Sequence, residues 1–189
     1  MPIAINGSGT ITGISVGGLP DGIVDADMLA ANAVTAGKLS SGVGGKILQV
    51  VQTFKNDSFS TTSTSYVDIT GFSVTITPSS TSNKILLLNF AGLSTDGNSS
   101  VQYINLLRGS TAIAQPSVST GFSSTATMFP QSISNMISWS YSFLDSPNTT
   151  SATTYKWQIK GYTGTQYINQ RAINDMPRTA TMIAMEVAG

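Results

Sequence analysis

Every aromatic residue of this 189-residue chain lies after position 45, while ten of its 18 glycines fall within residues 1–45. A glycine-rich stretch without aromatic anchors buries too little surface to offset the entropy of ordering it. Residues 1–45 are therefore expected to be disordered, or to take their order from partners. Residues 46–189 carry the apolar content for a full core.

Within the first segment, Ile3 and Ile5 alternate with other residues. Ile11 breaks the stripe, and Ile14 and Val16 restore a period of two before Leu19. Short strands between glycine turns are the plain reading. Pro20-Asp21-Gly22 signals a turn. Beyond it, Asp25 or Asp27 fits the cap of a short Ala-rich helix. A weak ten-residue repeat, with Leu29 and Val34 recurring as Leu39 and Val43, is a second reading. Such a small unit would need stacking against other chains to bury its apolar side.

The remainder reads as β throughout. Phe72, Val74 and Ile76 alternate strictly with polar neighbours, which marks a half-buried strand. Tyr155, Trp157 and Ile159 do the same, and Ile137, Trp139, Tyr141 and Phe143 share a face of a long strand over 133–144. The Ile-Leu-Leu-Leu run after Lys84 predicts a strand over 84–91 buried on both faces. Further strands are expected over 46–55, 65–70, 101–107, 111–114, 167–169 and 181–187, the last with Ile183, Met185 and Val187 on one side. About nine short strands separated by Gly, Pro, Asn and Ser turns predict an all-β chain closed as a jelly-roll β-sandwich.

Composition removes most chemistry. The chain has no His, no Cys and only 10% charged residues, with Lys+Arg equal to Asp+Glu. No basic excess exists to displace counterions from nucleic acid, so no nucleic-acid partner is expected. Zinc ligands, disulfides and histidine-based catalysis are ruled out by residue type. No apolar run is long enough to span a bilayer, and no signal-peptide pattern opens the sequence. Low charge leaves copies weakly repelled from one another, which suits a subunit of an assembly.

The motifs that could carry chemistry read as turns. Gly7-x-Gly9 is followed by Gly13, the wrong spacing for a dinucleotide fingerprint, and Gly45-Lys46 lacks the rest of a phosphate loop. Asp57, Asp68, Asp96, Asp145 and Asp175 are the carboxylates a glycan hydrolase could pair. None forms a recognisable pair, and Asp96-Gly and Asp145-Ser-Pro are ordinary turn sequences. Asn56, Asn98 and Asn148 open glycosylation-type triplets that chance supplies in a Ser/Thr-rich chain. Trp139 and Trp157 are expected in the core, with Tyr162 and Tyr167 the better-exposed aromatics. No catalytic residue, metal or cofactor is expected.

The run Ile5-Asn-Gly-Ser-Gly-Thr-Ile-Thr-Gly-Ile-Ser-Val-Gly-Gly-Leu-Pro-Asp-Gly22 resembles the N-terminal segment of fibre proteins of tailed bacteriophages, marine and cyanobacterial phages especially. Asn32-Ala-Val-Thr35 with Lys38-Leu39 is similar to short repeats of phage fibre shafts. Gly45-Lys-Ile-Leu-Gln-Val-Val-Gln52 resembles the junction into their C-terminal domain. Ile76 to Leu87 and Met182 to Ala188 resemble that domain's inner strands. The resemblance implies a virion structural protein: a short homotrimeric tail-fibre protein with a head like the trimeric jelly rolls of the tumour-necrosis-factor and complement C1q type. The number of shaft-like units departs from the main tail-fibre class, since only one or two are present.

On that reading residues 1–45 form the virion-attachment segment and a stub of shaft, extended and ordered by trimerisation. Ile3, Ile5, Ile11, Ile14, Val16 and Leu19 would dock on other proteins of the tail, neck or capsid. Residues 46–189 form the head. Both ends of the head are expected at its base, with loops 94–100, 119–130 and 162–166 at the tip. Thr95, Asp96, Asn98, Phe122, Phe129 and Tyr162 are the candidates for contact with a host-surface glycan or protein. Two other readings stay open: a capsid or neck decoration protein without receptor binding, and a glycan depolymerase.

Overall fold

The computed structural model describes residues 29–31, 33–35, 38, 45–96, 100–117, 123–129, 135–173 and 177–189. The chain divides into two units, Met1–Gly45 and Lys46–Gly189. Among the described residues of the second unit lie eleven strands: β1 (Ile47–Lys55), β2 (Phe59–Thr61), β3 (Val67–Ile76), β4 (Lys84–Thr95), β5 (Gln102–Arg108), β6 (Thr111–Ile113), β7 (Ala126–Met128), β8 (Ile137–Asp145), β9 (Thr153–Gly161), β10 (Gln166–Ile168) and β11 (Ala180–Val187).

They form two antiparallel sheets. The first runs β1-β11-β4-β10-β2, with β8 on the other edge of β4. The second runs β3-β9-β5-β6, with β7 also on β5. Set aside the three-residue β2, β7 and β10, and eight strands remain. Numbered along the chain, they lie first-eighth-third-sixth in one sheet and second-seventh-fourth-fifth in the other. That interleaving is the jelly roll, and it follows from strands that alternate between sheets as the chain wraps the core.

The core fills the space between the sheets with every second residue of each strand. Ile85, Leu87, Ala91 and Leu93 of β4, with Ala180, Met182 and Ala184 of β11, face Phe72, Val74 and Ile76 of β3 and Tyr155, Trp157 and Ile159 of β9. Trp139 meets Trp157 edge-on at 4.7 Å between ring centroids, and Tyr141 meets the same indole at 5.7 Å. Both tryptophans are core residues, as their alternation predicts.

Several boundaries differ from the expected ones. The strands expected over 65–70 and 72–77 are one strand, β3, with an irregularity between Asp68 and Ser73 where Gly71 takes a φ of 75°. β4 runs on to Thr95, beyond the apolar run that announced it, because Leu93–Thr95 pair with β10. β2 and β7 were not anticipated, since three residues show no period. β11 buries Ala180, Met182, Ala184 and Glu186 and leaves Ile183, Met185 and Val187 on its outer side. The residues expected to dock on the virion, Ile3 to Leu19, lie outside the described residues, as do Asn98 and Phe122.

Candidate functional site

Two surfaces of the sandwich stand out, one at an end and one on a face. The ends are distinguished by register. Ile47 pairs with Val187, which pairs with Lys84, so residues 46–189 begin and finish at one end, the base. At the opposite end Thr95 pairs with Gln166, and Gln102 sits across from both Gly161 and Met128. Asp96, Tyr162 and Phe129 follow directly on these residues, so the described members of the predicted contact set reach this end from three connections.

The end is a pinned arrangement. The Asp96 amide donates to the Thr165 carbonyl at 3.2 Å, and the Thr165 amide donates back to Asp96 Oδ1 at 2.7 Å. The Tyr162 amide donates to the Val101 carbonyl at 3.0 Å. Beneath them Ser94, Thr95, Ser100, Gln102, Gln166 and Asn169 are all buried. Gln166 Nε2 donates to Ser100 Oγ at 2.9 Å and to the Thr163 carbonyl at 2.8 Å, and Gln102 Nε2 donates to the Ser94 carbonyl at 2.6 Å. Side-chain hydrogen bonds thus tie the turn before β10 to the turn before β5, which rigidifies both. Thr95 belongs to this buried layer. Its hydroxyl donates to the Thr165 carbonyl at 3.1 Å, so it shapes the end without reaching the surface. Asp96, Phe129 and Tyr162 are exposed, and Tyr167 is half-buried.

The second surface is the outer face of the first sheet. Register aligns its outward residues in rows. Val50 pairs with Met185, Met185 with Leu86 and Leu86 with Leu144. The next row is Gln52, Ile183, Leu88 and Ser142, and the next Phe54, Thr181, Phe90 and Ser140. No charged side chain stands in these three rows. Val50 is 57%, Phe54 61%, Phe90 42% and Leu144 47% exposed. The strand over 84–91, expected to be buried on both faces, is covered on one. With Ile47, which stands in the next row beside Val187 and Lys84, these exposed apolar parts amount to roughly 500 Å², near the upper end of what a monomer leaves in one patch. Sequence reasoning noted the runs in β1 and β4 but did not join them into one face, because β1 and β4 become neighbours of β11 only through long-range pairing.

Among the described residues three of the candidate carboxylates hold structural partners. Asp145 is buried, held by both its oxygens to Arg108 Nη1 at 3.1 and 2.9 Å and by Tyr155 OH at 2.7 Å. Burial, then the Asp145 contact, pushes the Tyr155 phenol well up, so it stays a donor. Asp68 bonds Lys156 and Gln158, each at 2.7 Å, and Asp57 bonds Lys55 at 2.6 Å; these contacts hold both carboxyls below their ordinary range. Asp175 lies outside the described residues. Among the described residues no three His, Cys, Asp or Glu side chains cluster as metal ligands.

Glu186, the chain's sole glutamate, was not anticipated as structural. It is buried at the base, and its Oε1 accepts from the Ser79 amide at 2.6 Å, Ser79 Oγ at 2.7 Å and Asn83 Nδ2 at 2.6 Å. Burial pushes this carboxyl up, yet the bonds from Ser79 and Asn83 together outweigh it and hold the group below its usual range. Asn83 Oδ1 in turn accepts from the Gly189 amide at 3.1 Å.

No protein-family model matches the chain, and no curated protein sequence matches it. Among solved structures, it is similar to a chain of the infectious bursal disease virus Gt strain, with 13% identity, a TM-score of 0.43, and coverage of 75% of this chain and 38% of that one. A chain of the infectious bursal disease virus VP2 subviral particle gives 12% identity, a TM-score of 0.41, and coverage of 74% and 37%. The tripod (BppUct-A-L) from the baseplate of bacteriophage Tuc2009 gives 12% identity, a TM-score of 0.24, and coverage of 100% and 84%. The chain thus spans well under half the length of the two viral chains it matches.

Proposed function

We propose that this chain is a virion structural protein of a tailed phage: a short homotrimeric fibre that attaches through residues 1–45 and presents the head, residues 46–189, to the host surface. The carrying observation is the apolar outer face of the first sheet, which carries no charge in the three rows from Val50 to Phe54 and is flanked by Lys84 in the Ile47–Val187 row and by Arg178 beside Ser138. An isolated sandwich gains nothing from Val50, Phe54, Phe90 and Leu144 in water. Each exposed apolar side chain gains on the order of 1–2 kcal/mol on burial. Adding the half-buried Leu86, Leu88, Ile183, Met185 and Val187 brings the face toward the about 800 Å² per partner of a standard stable interface. The absence of charge in its three rows from Val50 to Phe54 leaves little repulsion between identical faces there. The fibre-like segments in residues 5–52 give the assembly its setting.

In such an assembly the end bearing Asp96, Phe129 and Tyr162 stays free. It combines a carboxylate, two aromatic faces and a rigid frame, the requirements for holding sugar hydroxyls and stacking on pyranose rings. No catalysis is assigned, because the described aspartates hold structural partners. The test has two parts. Light scattering of the full chain is expected to give the mass of three chains. The purified protein is expected to compete with phage particles for adsorption to host cells. A single-chain mass would overturn the fibre reading. A trimer that leaves adsorption unchanged would move the protein to the decoration class, and release of oligosaccharides from host polysaccharide would make it a depolymerase.

A further inference from the structure

The outer face of the first sheet is not level. At one edge β1 raises Val50 and Phe54 into solvent. At the other edge β8 presents Ser138, Ser140 and Ser142, all exposed and all short, beside the taller Leu88 of β4. The step between them is a cleft of about 330 Å³ lined by Leu88, Asn89, Ser140, Tyr141 and Ser142. One edge of the face is a knob and the opposite edge is a hollow.

Building on the homotrimer reading above, we propose that Phe54 of each copy seats in the Leu88–Ser140–Ser142 cleft of the next copy, head to tail around a closed ring. A knob and a hollow on opposite edges of one face complement each other between copies related by successive rotation, which is a heterologous contact. The hollow is large enough, since an apolar cavity of about 150 Å³ already accepts a benzene ring. The heights also agree. Phe54 pairs with Thr181, Thr181 with Phe90, and Phe90 with Ser140, so the knob shares its row with the Ser140 wall of the hollow, while Leu88 and Ser142 stand on the adjacent row. Rotation about an axis parallel to the strands keeps every row at its own height. A Phe54 ring set against Ser140 stays on its own row and closes a ring, whereas a seat several rows away would climb into a filament.

The chain contains no cysteine, so introduced thiols report only the proximity they create. The full chain carrying both Phe54→Cys and Ser140→Cys is expected to give disulfide-linked dimers and trimers, and nothing larger, on mild oxidation. Each single variant is expected to stay unlinked, because equivalent positions are apart in a head-to-tail ring. A double variant with the three-chain mass but no cross-link would overturn this contact and leave the homotrimer standing. Linked pairs in the Phe54→Cys variant alone would reveal a two-fold contact and overturn it as well. Ser142→Trp fills the hollow from an exposed position without entering the core. It is expected to give the single-chain mass with an unchanged far-UV spectrum, and a retained three-chain mass would refute the seat. A single-chain mass for the unaltered protein would remove both this contact and the reading it rests on.

Discussion

Replacing Glu186 by Gln keeps the shape of the side chain and removes its charge. Three donors converge on Glu186 Oε1 at 2.6, 2.7 and 2.6 Å, two from Ser79 and one from Asn83. A hydrogen bond to a charged acceptor contributes about 1 kcal/mol more than one to a neutral acceptor, so the three together favour the carboxylate by about 3 kcal/mol. The cost of keeping a charge out of water offsets part of this, leaving about 2 kcal/mol. For a domain of this size that is a fall in Tm of roughly 4–8 °C. The sign with pH follows from the lowered carboxyl. A group whose folded value lies below its unfolded value stabilises the fold above the unfolded value and loses that contribution as pH falls through the folded one. Asp57 and Asp68 shift the same way, so the informative quantity is the difference between the parent and Glu186→Gln. Thermal or urea unfolding followed by tryptophan fluorescence is expected to show a gap at pH 7 that shrinks from the ordinary glutamate range downward and closes below the lowered value. A gap under about 0.5 kcal/mol at pH 7, the level of ordinary surface substitutions, would refute the assignment of Glu186 as the tie between β11 and the turn at Ser79. A gap that persists at low pH would refute it too.

Three further outcomes are expected. Trp157→Ala should cost about 3–5 kcal/mol by emptying the core where Trp139 and Tyr141 meet it edge-on, measured by urea unfolding. Tyr155→Phe should cost about 1–2 kcal/mol in the same assay, because buried Asp145 loses one donor while Arg108 remains. Asp96→Ala should leave the three-chain mass unchanged and weaken competition for host adsorption, because Thr165 loses its side-chain partner and the exposed end loses its carboxylate.

The part of the fold that was legible in the sequence is the part set by period-two alternation. Phe72 to Ile76 and Tyr155 to Ile159 alternate cleanly because each strand has one face inward, and their inward residues are the core. The two tryptophans were legible for the same reason. β2 and β7 were not, since three residues carry no period and owe their pairing to β10 and β5. Thr95 looked like a loop residue because the apolar run ends before it, whereas pairing to Gln166 draws it into β4 and buries it. Ser94, Ser100 and Gln166 were expected in tip loops and are buried instead, because the Ser94 and Ser100 hydroxyls reach carbonyls far along the chain, at Gln170 and Thr163, and Gln166 bonds Ser100. The run in β4 was informative in an unexpected way. Its second apolar face is half-buried at Leu86 and Leu88 and exposed at Phe90.

Whether the outer face of the first sheet joins identical copies in a fibre head is decided by a cryo-electron microscopy map of the intact particle. Three sandwiches around one axis are predicted, with Val50, Phe54, Leu88 and Phe90 turned inward and Asp96, Phe129 and Tyr162 at the outward end. A single copy, or a trimer whose first sheet faces solvent, would rule out this face as the joint between copies.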